Sequence, residues 1–252
     1  MAGLNGGSCA DGHRGFGGIL TRGNAQADPF RTCIGLARAA RHAGAMIYEQ
    51  SPVRRMRGDS RGVTLEVGAH RIRADWGIVA TGYATPEFKP LGSRFRKVST
   101  YVIATPRLSA RDRRALGLGD VMLWDTGQPY HYLRWTPDRR LLFGGGDRQP
   151  PTARARASAL ERKVSELVTD LSGLYPSLAH VSPEFAWEGL FATTPDGLPY
   201  IGEHRRYPRH LFALGYGGNG MTFSFLAARL LSRIIEGRPR PEDALFSFGR
   251  GR

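Results

Sequence analysis

Cysteine is almost missing from this chain: Cys9 and Cys33 are the only two among 252 residues. Two such residues make neither a disulfide framework nor a metal site. Lysine is nearly as scarce. Only Lys89, Lys97 and Lys163 occur, so arginine supplies 33 of the 36 basic residues. No run approaches the roughly 20 consecutive apolar residues of a membrane-spanning helix. Met1–Gly18 also lacks the continuous apolar stretch of a secretory signal. At 41% hydrophobic and 23% charged residues, the chain is neither disordered nor fibrous. A globular cytoplasmic protein of one large or two modest domains is expected.

What is present in excess is positive charge, a net +14. Such a field draws nucleic acid, anionic lipid or anionic ligands, so nucleic-acid binding is an alternative function. The arginines are scattered in pairs (Arg54-Arg55, Arg113-Arg114, Arg139-Arg140, Arg205-Arg206), not massed in a block. Neither zinc-finger spacing nor an RNA-reading motif accompanies them.

Along the chain, residues 1–18 read as a glycine-rich disordered leader. Asp28-Pro29 opens a helix, with Asp28 as cap and Pro29 in the first position. Phe30, Ile34, Leu36, Ala37 and Ala40 follow, and Gly44 stops it. Strands are predicted at 46–49, 53–56, 63–67 and 71–72. A buried strand is predicted at 76–80, ended by Thr81-Gly82. Further strands are predicted at 101–104, 121–124, 131–135 and 141–143, where Gly144-Gly145-Gly146 breaks the pattern. A long helix over 154–171 and strands at 185–190 and 211–214 come next. A tight loop at 215–220 leads into a helix over 221–235, stopped by Gly237. This order suggests one α/β domain split by an inserted α+β domain.

Gly215-Tyr216-Gly217-Gly218-Asn219-Gly220 satisfies GxGxxG between a strand and a helix. Its backbone N–H groups and the helix N-terminus suit an anionic or electron-rich ligand atom. No βαβ unit with a second, acid-bearing strand follows it, so it does not open a dinucleotide-binding unit. A plain strand-to-helix turn is the alternative.

Four stretches together resemble the glycine/D-amino-acid oxidase family of FAD-dependent oxidoreductases. They are Asp28–Ala45, Ala80-Thr81-Gly82, Trp187-Glu188-Gly189 with Thr194–Gly202, and Leu214–Gly220 with the helix to Gly237. The fold implied is α/β: a partial FAD-binding, Rossmann-like domain with an inserted α+β substrate domain of mixed or antiparallel sheet. The FAD-binding parts fall at 19–97 and 193–252, and the substrate-binding domain at 98–192. The resemblance places Gly217, Gly218, Asn219, Gly220 and Met221 beside the flavin ring. Val53 falls against the adenine, and Thr81 and Gly82 near the pyrophosphate. Hydride transfer from a C–N bond of an amine or amino acid to the flavin is the implied chemistry. The cofactor does that work, so no catalytic acid or base is named.

Three departures matter. Nothing before Phe16 resembles the family's opening βαβ unit, so FAD binding by this chain alone is expected to be weak. An absent N-terminal half is then the expected partner, and a non-catalytic remnant or partner subunit is the alternative function. Phe191 stands where relatives often hold a substrate carboxylate with arginine, and a phenyl ring cannot replace that clamp. Arg134 is the substitute candidate, on a strand expected to roof the flavin, with Tyr130, His131 and Tyr132 as further substrate-side residues. Gly189 stands where some relatives attach FAD through cysteine, so the flavin is expected to be non-covalent.

Overall fold

A computed structural model describes residues 18–127 and 129–250. All but the last residue of the expected leader lies outside them. The chain divides into two compact units. One, here the continuous unit, comprises Val98–Leu190 and the described residues before Ala27. The other, the split unit, comprises Ala27–Lys97 and the chain from Phe191 onward.

The split unit begins with helix α1 (Pro29–His42). Asp28 caps it, its carboxylate accepting from Arg31 N at 3.0 Å, and Gly44 follows its end at φ +95°. Strands β1 (Val53–Gly58), β2 (Val63–Val67) and β3 (His70–Ala74) form an antiparallel meander. Strand β4 (Gly77–Gly82) belongs to a different sheet. There it runs parallel to β11 (Tyr207–Leu214), which is antiparallel to β10 (Tyr200–His204). Short helix α2 (Lys89–Gly92) follows β4.

Alternation along β11 splits its side chains between two cores. Phe212 and Leu214 meet Val79, Phe88, Leu91 and Phe248 on one side. The Phe88 and Phe212 rings meet edge-on at 5.1 Å, a favourable aromatic geometry. Leu211 and Ala213 meet Ala227, Leu230 and Leu231 of helix α5 (Gly220–Ile235) on the other.

The continuous unit is a five-stranded sheet in the order β6-β7-β8-β5-β9. Its strands are β5 (Arg96–Ala104), β6 (Met122–Trp124), β7 (His131–Trp135), β8 (Leu141–Arg148) and β9 (Phe185–Thr193). Helix α4 (Arg156–Leu174) covers one face. Leu167 and Leu171 of α4 pack with Tyr101, Ile103, Leu133, Trp135, Leu141 and Phe143. Helix α3 (Ala110–Leu116), capped by Ser109, adds Leu116 to the same core.

Three local expectations are corrected. Residues 46–49 form no strand; Met46, Ile47 and Tyr48 are exposed and have no strand to pair with among the described residues. The stretch 76–80 is a strand from Gly77, but it is not buried: Gly77 and Val79 are covered while Ile78 and Ala80 are not. The three glycines after Phe143 do not break β8, which continues through them. A side chain at Gly144 would come within 2.6 Å of the Tyr132 ring. Glycine there lets the Tyr132 ring of the paired strand lie flat over β8. Among the described residues no helix is long and apolar enough to cross a membrane.

Candidate functional site

The C-terminal ends of β4 and β11 stand side by side, Gly82 in register with Leu214. Gly215 N donates to Gly82 O at 2.8 Å, tying the two strand ends together. Gly215 has φ +79°, and a Cβ there would lie 2.7 Å from the Phe95 ring and 2.9 Å from the Thr194 methyl. Both the backbone angle and the space therefore require glycine. Gly217, at φ +55°, donates its N–H to Ala192 O at 2.9 Å, and Asn219 donates to Tyr216 O at 3.2 Å.

These bonds deliver the chain into α5 with its first turn bare. Asn219, at the N-cap, makes no side-chain cap, and the first turn holds no acidic residue. The opening N–H groups of a helix have no intrahelical partner. In α1 and α3, Asp28 and Ser109 supply one. In α5 the N-cap side chain does not, and Gly218, Asn219 and Met221 are exposed. The result is an outward-facing set of donors with the positive end of a helix dipole behind it.

Thr81 and Gly82 adjoin this turn through the Gly82–Gly215 bond. The Thr81 hydroxyl is spent locally, donating to Tyr83 O at 2.8 Å. Gly82 is at φ +76°, and a Cβ there would meet nothing within 4 Å, so its backbone borders open space. Val53 opens β1 with its side chain 44% exposed, so it is not an ordinary core strand residue.

Sequence reasoning missed the anchor of the neighbouring turn. The Asp196 carboxylate accepts from Thr194 Oγ1 at 3.1 Å and Leu198 N at 3.1 Å. Arg250 then binds Asp196 at 2.7 Å and donates to the carbonyls of Leu198 and Pro199, its guanidinium 3.7 Å from the Tyr200 ring centre. The Arg250 hydrogen bond holds the Asp196 carboxyl down at about 2. Nothing in the local pattern around Arg250 signals this role.

In the continuous unit, alternation along β7 separates the other candidates. His131 faces α4. It stacks on Phe143 with ring centres 5.1 Å apart and lies between two carboxylates, Nδ1 3.1 Å from Asp125 and Nε2 3.3 Å from Asp170. Tyr132 and Arg134 point to the face that α4 leaves open. The Tyr132 ring covers Gly144, and its hydroxyl is 3.3 Å from Thr100 Oγ1. Burial raises its phenol pKa. Arg134 donates to the Gln26 side-chain oxygen at 3.4 Å. Tyr130 has its ring 6.2 Å from that of Tyr132. Trp124, paired with Tyr132, and Trp187 on β9 are exposed. The structure thus groups Tyr130, Tyr132 and Arg134 but turns His131 away from them. Phe191, on β9, is half-buried.

A strand-to-helix turn offering bare N–H groups, in a unit interrupted by a sheet-bearing insertion, defines a class of cofactor-binding α/β protein. The chain belongs to the DAO family of FAD dependent oxidoreductases, whose model matches residues 6–234. It is 30% identical over 235 residues to gamma-glutamylputrescine oxidoreductase of Escherichia coli, covering 90% of this chain and 52% of that protein. It is 29% identical over 236 residues to glycine oxidase of Geobacillus kaustophilus, covering 93% of this chain and 60% of that protein. The crystal structure of glycine oxidase from G. kaustophilus superposes with a TM-score of 0.68 at 24% identity, over 87% of this chain and 57% of that one. L-proline dehydrogenase from P. horikoshii gives 0.71 at 18% identity, over 88% and 59%. These last two likenesses bear on the fold alone. The chain spans about half to three-fifths of the length of the curated relatives it matches.

Proposed function

We propose that this chain carries the flavin-ring side and the substrate side of an FAD-dependent oxidoreductase that oxidises a C–N bond of an amine or amino acid. FAD supplies the chemistry by accepting a hydride from the carbon next to nitrogen. The observation that carries the reading is the uncapped first turn of α5, with exposed donors at Gly218–Met221 beside Gly82. Gly217, Gly218, Asn219, Gly220 and Met221 hold the electron-rich pyrimidine edge of the flavin by backbone N–H groups, and the helix dipole favours negative charge there. Thr81, Gly82 and the backbone of Val53 serve the pyrophosphate and adenine side. No cysteine lies between Trp187 and Thr194, so the cofactor is held without a covalent bond. Tyr130, Tyr132, Arg134 and Phe191 serve the substrate, while the two carboxylates around His131 give that residue a structural task. Phe191 in place of an arginine favours an amine over a small α-amino acid. An exposed free thiol at Cys33 suits the cytoplasm.

Binding of FAD by this chain alone is weak in this reading. α1 buries no residue, and the outer edge of β4 pairs with nothing among the described residues. The remaining half of the family's length is the partner that such surfaces suit, and a non-catalytic partner subunit is the second reading. Titrating the purified chain with FAD, with and without a supplied N-terminal half of a relative, tests both. Flavin bound and reduced by an amine only when that half is present supports the first reading. Flavin bound stoichiometrically by the chain alone refutes the weak-binding claim. No flavin bound in either case leaves the second.

A further inference from the structure

We infer that Asp147 is the recognition point for an organic ammonium group, the non-reacting cationic end of a substrate that carries a second nitrogen. The inference rests on the amine-oxidising reading above, but its geometry belongs to the continuous unit alone. Asp147 follows the three glycines of β8. One of its carboxylate oxygens, Oδ1, is shielded from solvent and has no hydrogen-bond partner among the described residues. A buried carboxylate oxygen is strongly destabilised without a partner, so an orphan of this kind marks a place where something else is meant to bind.

The orphan is telling because cations abound. The chain carries a net +14, and the arginine next door is Arg148. Yet Arg148 and Lys163 both turn to Glu166, at 3.1 and 2.7 Å, and Arg156 binds Glu188 at 3.2 Å. Glu166, Lys163 and Arg156 belong to α4, so these pairs form on the helix-covered face. Asp147, one residue from Arg148 on the strand, projects to the opposite face, with Tyr130 and Tyr132. Its negative charge adds to burial in raising both phenols. The two tyrosine rings stand 6.2 Å apart, tilted by 45°. A carboxylate near enough to two tyrosines to act on both phenols suits a compact cation held by a charge-assisted hydrogen bond and cation–π contact.

A metal ion is a poor occupant. Among the described residues no three His, Cys, Asp or Glu side chains gather to hold one, and hard cations require several oxygen ligands. The chemistry also fixes which nitrogen binds. Hydride leaves the carbon beside a neutral amine, so the nitrogen held protonated by Asp147 is not the one being oxidised. Diamines and other amines bearing a second cation are therefore the substrate class.

The test is calorimetric titration of the full chain without FAD, using 1,4-diaminobutane, butylamine and 1-butanol as probes. Both amines are expected to bind the unmodified chain, and the alcohol is not. Asp147→Asn is expected to weaken amine binding at least tenfold. Glu188→Gln, which removes a carboxylate already paired, is expected to leave it unchanged. Equal binding of amine and alcohol overturns the inference without need of any variant, as does undiminished amine binding by Asp147→Asn. FAD is titrated separately. With an N-terminal half of a relative supplied, absence of FAD binding counts against the oxidoreductase reading alone, and absence of amine binding by the unmodified chain counts against the Asp147 site alone.

Discussion

Helices α1 and α4 both carry an amphipathic pattern, yet α4 buries Leu167 and Leu171 under a five-stranded sheet while α1 buries nothing. Phe30 and Leu36 of α1 are 73% and 67% exposed. The same contrast holds between strands. β8 has neighbours on both sides, whereas β4 ends its sheet with Ile78 49% exposed. An apolar stripe therefore states what a helix can bury, not that this chain supplies the cover. Exposed apolar surface of this kind is what an interaction face presents.

The comparison breaks most visibly in the core. Phe143→Ala, in the covered sheet, is expected to cost about 3–5 kcal/mol, read by urea unfolding. Gly215→Ala comes next. Its Cβ strikes Phe95 and Thr194 at a positive φ, so a loss of about 1–3 kcal/mol is expected. Any FAD affinity measured with a supplied N-terminal half should fall with it. A change in FAD affinity no larger than that of a surface variant would argue that this turn does not hold the flavin.

Removing the α1 cap with Asp28→Ala should cost the isolated helix about 1 kcal/mol. In the bare split unit the loss should appear as faster amide exchange confined to α1, with little change in global unfolding. A drop in global stability equal to the cap would mean that α1 is packed after all. Arg250→Ala probes the same unit by pH. The folded-state pKa of Asp196 is depressed from 3.8 to about 2. The stabilisation it reports is therefore present above about pH 4 and is lost as pH falls toward 2. The gap between native and Arg250→Ala melting temperatures should be widest at neutral pH and narrow toward pH 2, by a modest amount because Asp196 is half exposed and the carbonyl and Tyr200 contacts of Arg250 remain. The smallest effect belongs to Ile34→Ala. This change on the uncovered face of α1 should stay within about 0.5 kcal/mol, and a supplied partner half should enlarge it.

Much of this arrangement is readable from residues. Asp28-Pro29 and Gly44 bound α1 because capping and positive φ are local demands. The glycine loop and α5 are legible for the same reason. What escaped depends on neighbours distant in sequence. The stretch 46–49 has strand composition but no strand to pair with among the described residues. Gly144 and Gly145 read as breakers, yet they are there to admit Tyr132 and the backbone of Tyr130. β10 was hidden by Pro199 and Gly202 and took shape only against β11. In the candidate site, alternation along β7 was available to separate His131 from Tyr132 and Arg134. The Arg250–Asp196 pair and the orphaned Asp147 oxygen are tertiary facts that no spacing announces.

The parallel pairing of β4 with β11, closed by the bond from Gly215 to Gly82, also imposes a timetable. During synthesis β4 leaves the ribosome long before β11, with all of Val98–Leu190 in between. All the strands and helices of the inserted unit come from one stretch of chain around Val98–Leu190, which can fold as soon as it emerges, while β4 waits unpaired for a late strand to return. Slowing translation after Leu190 should therefore leave a nascent chain with a protease-resistant middle and a sensitive beginning.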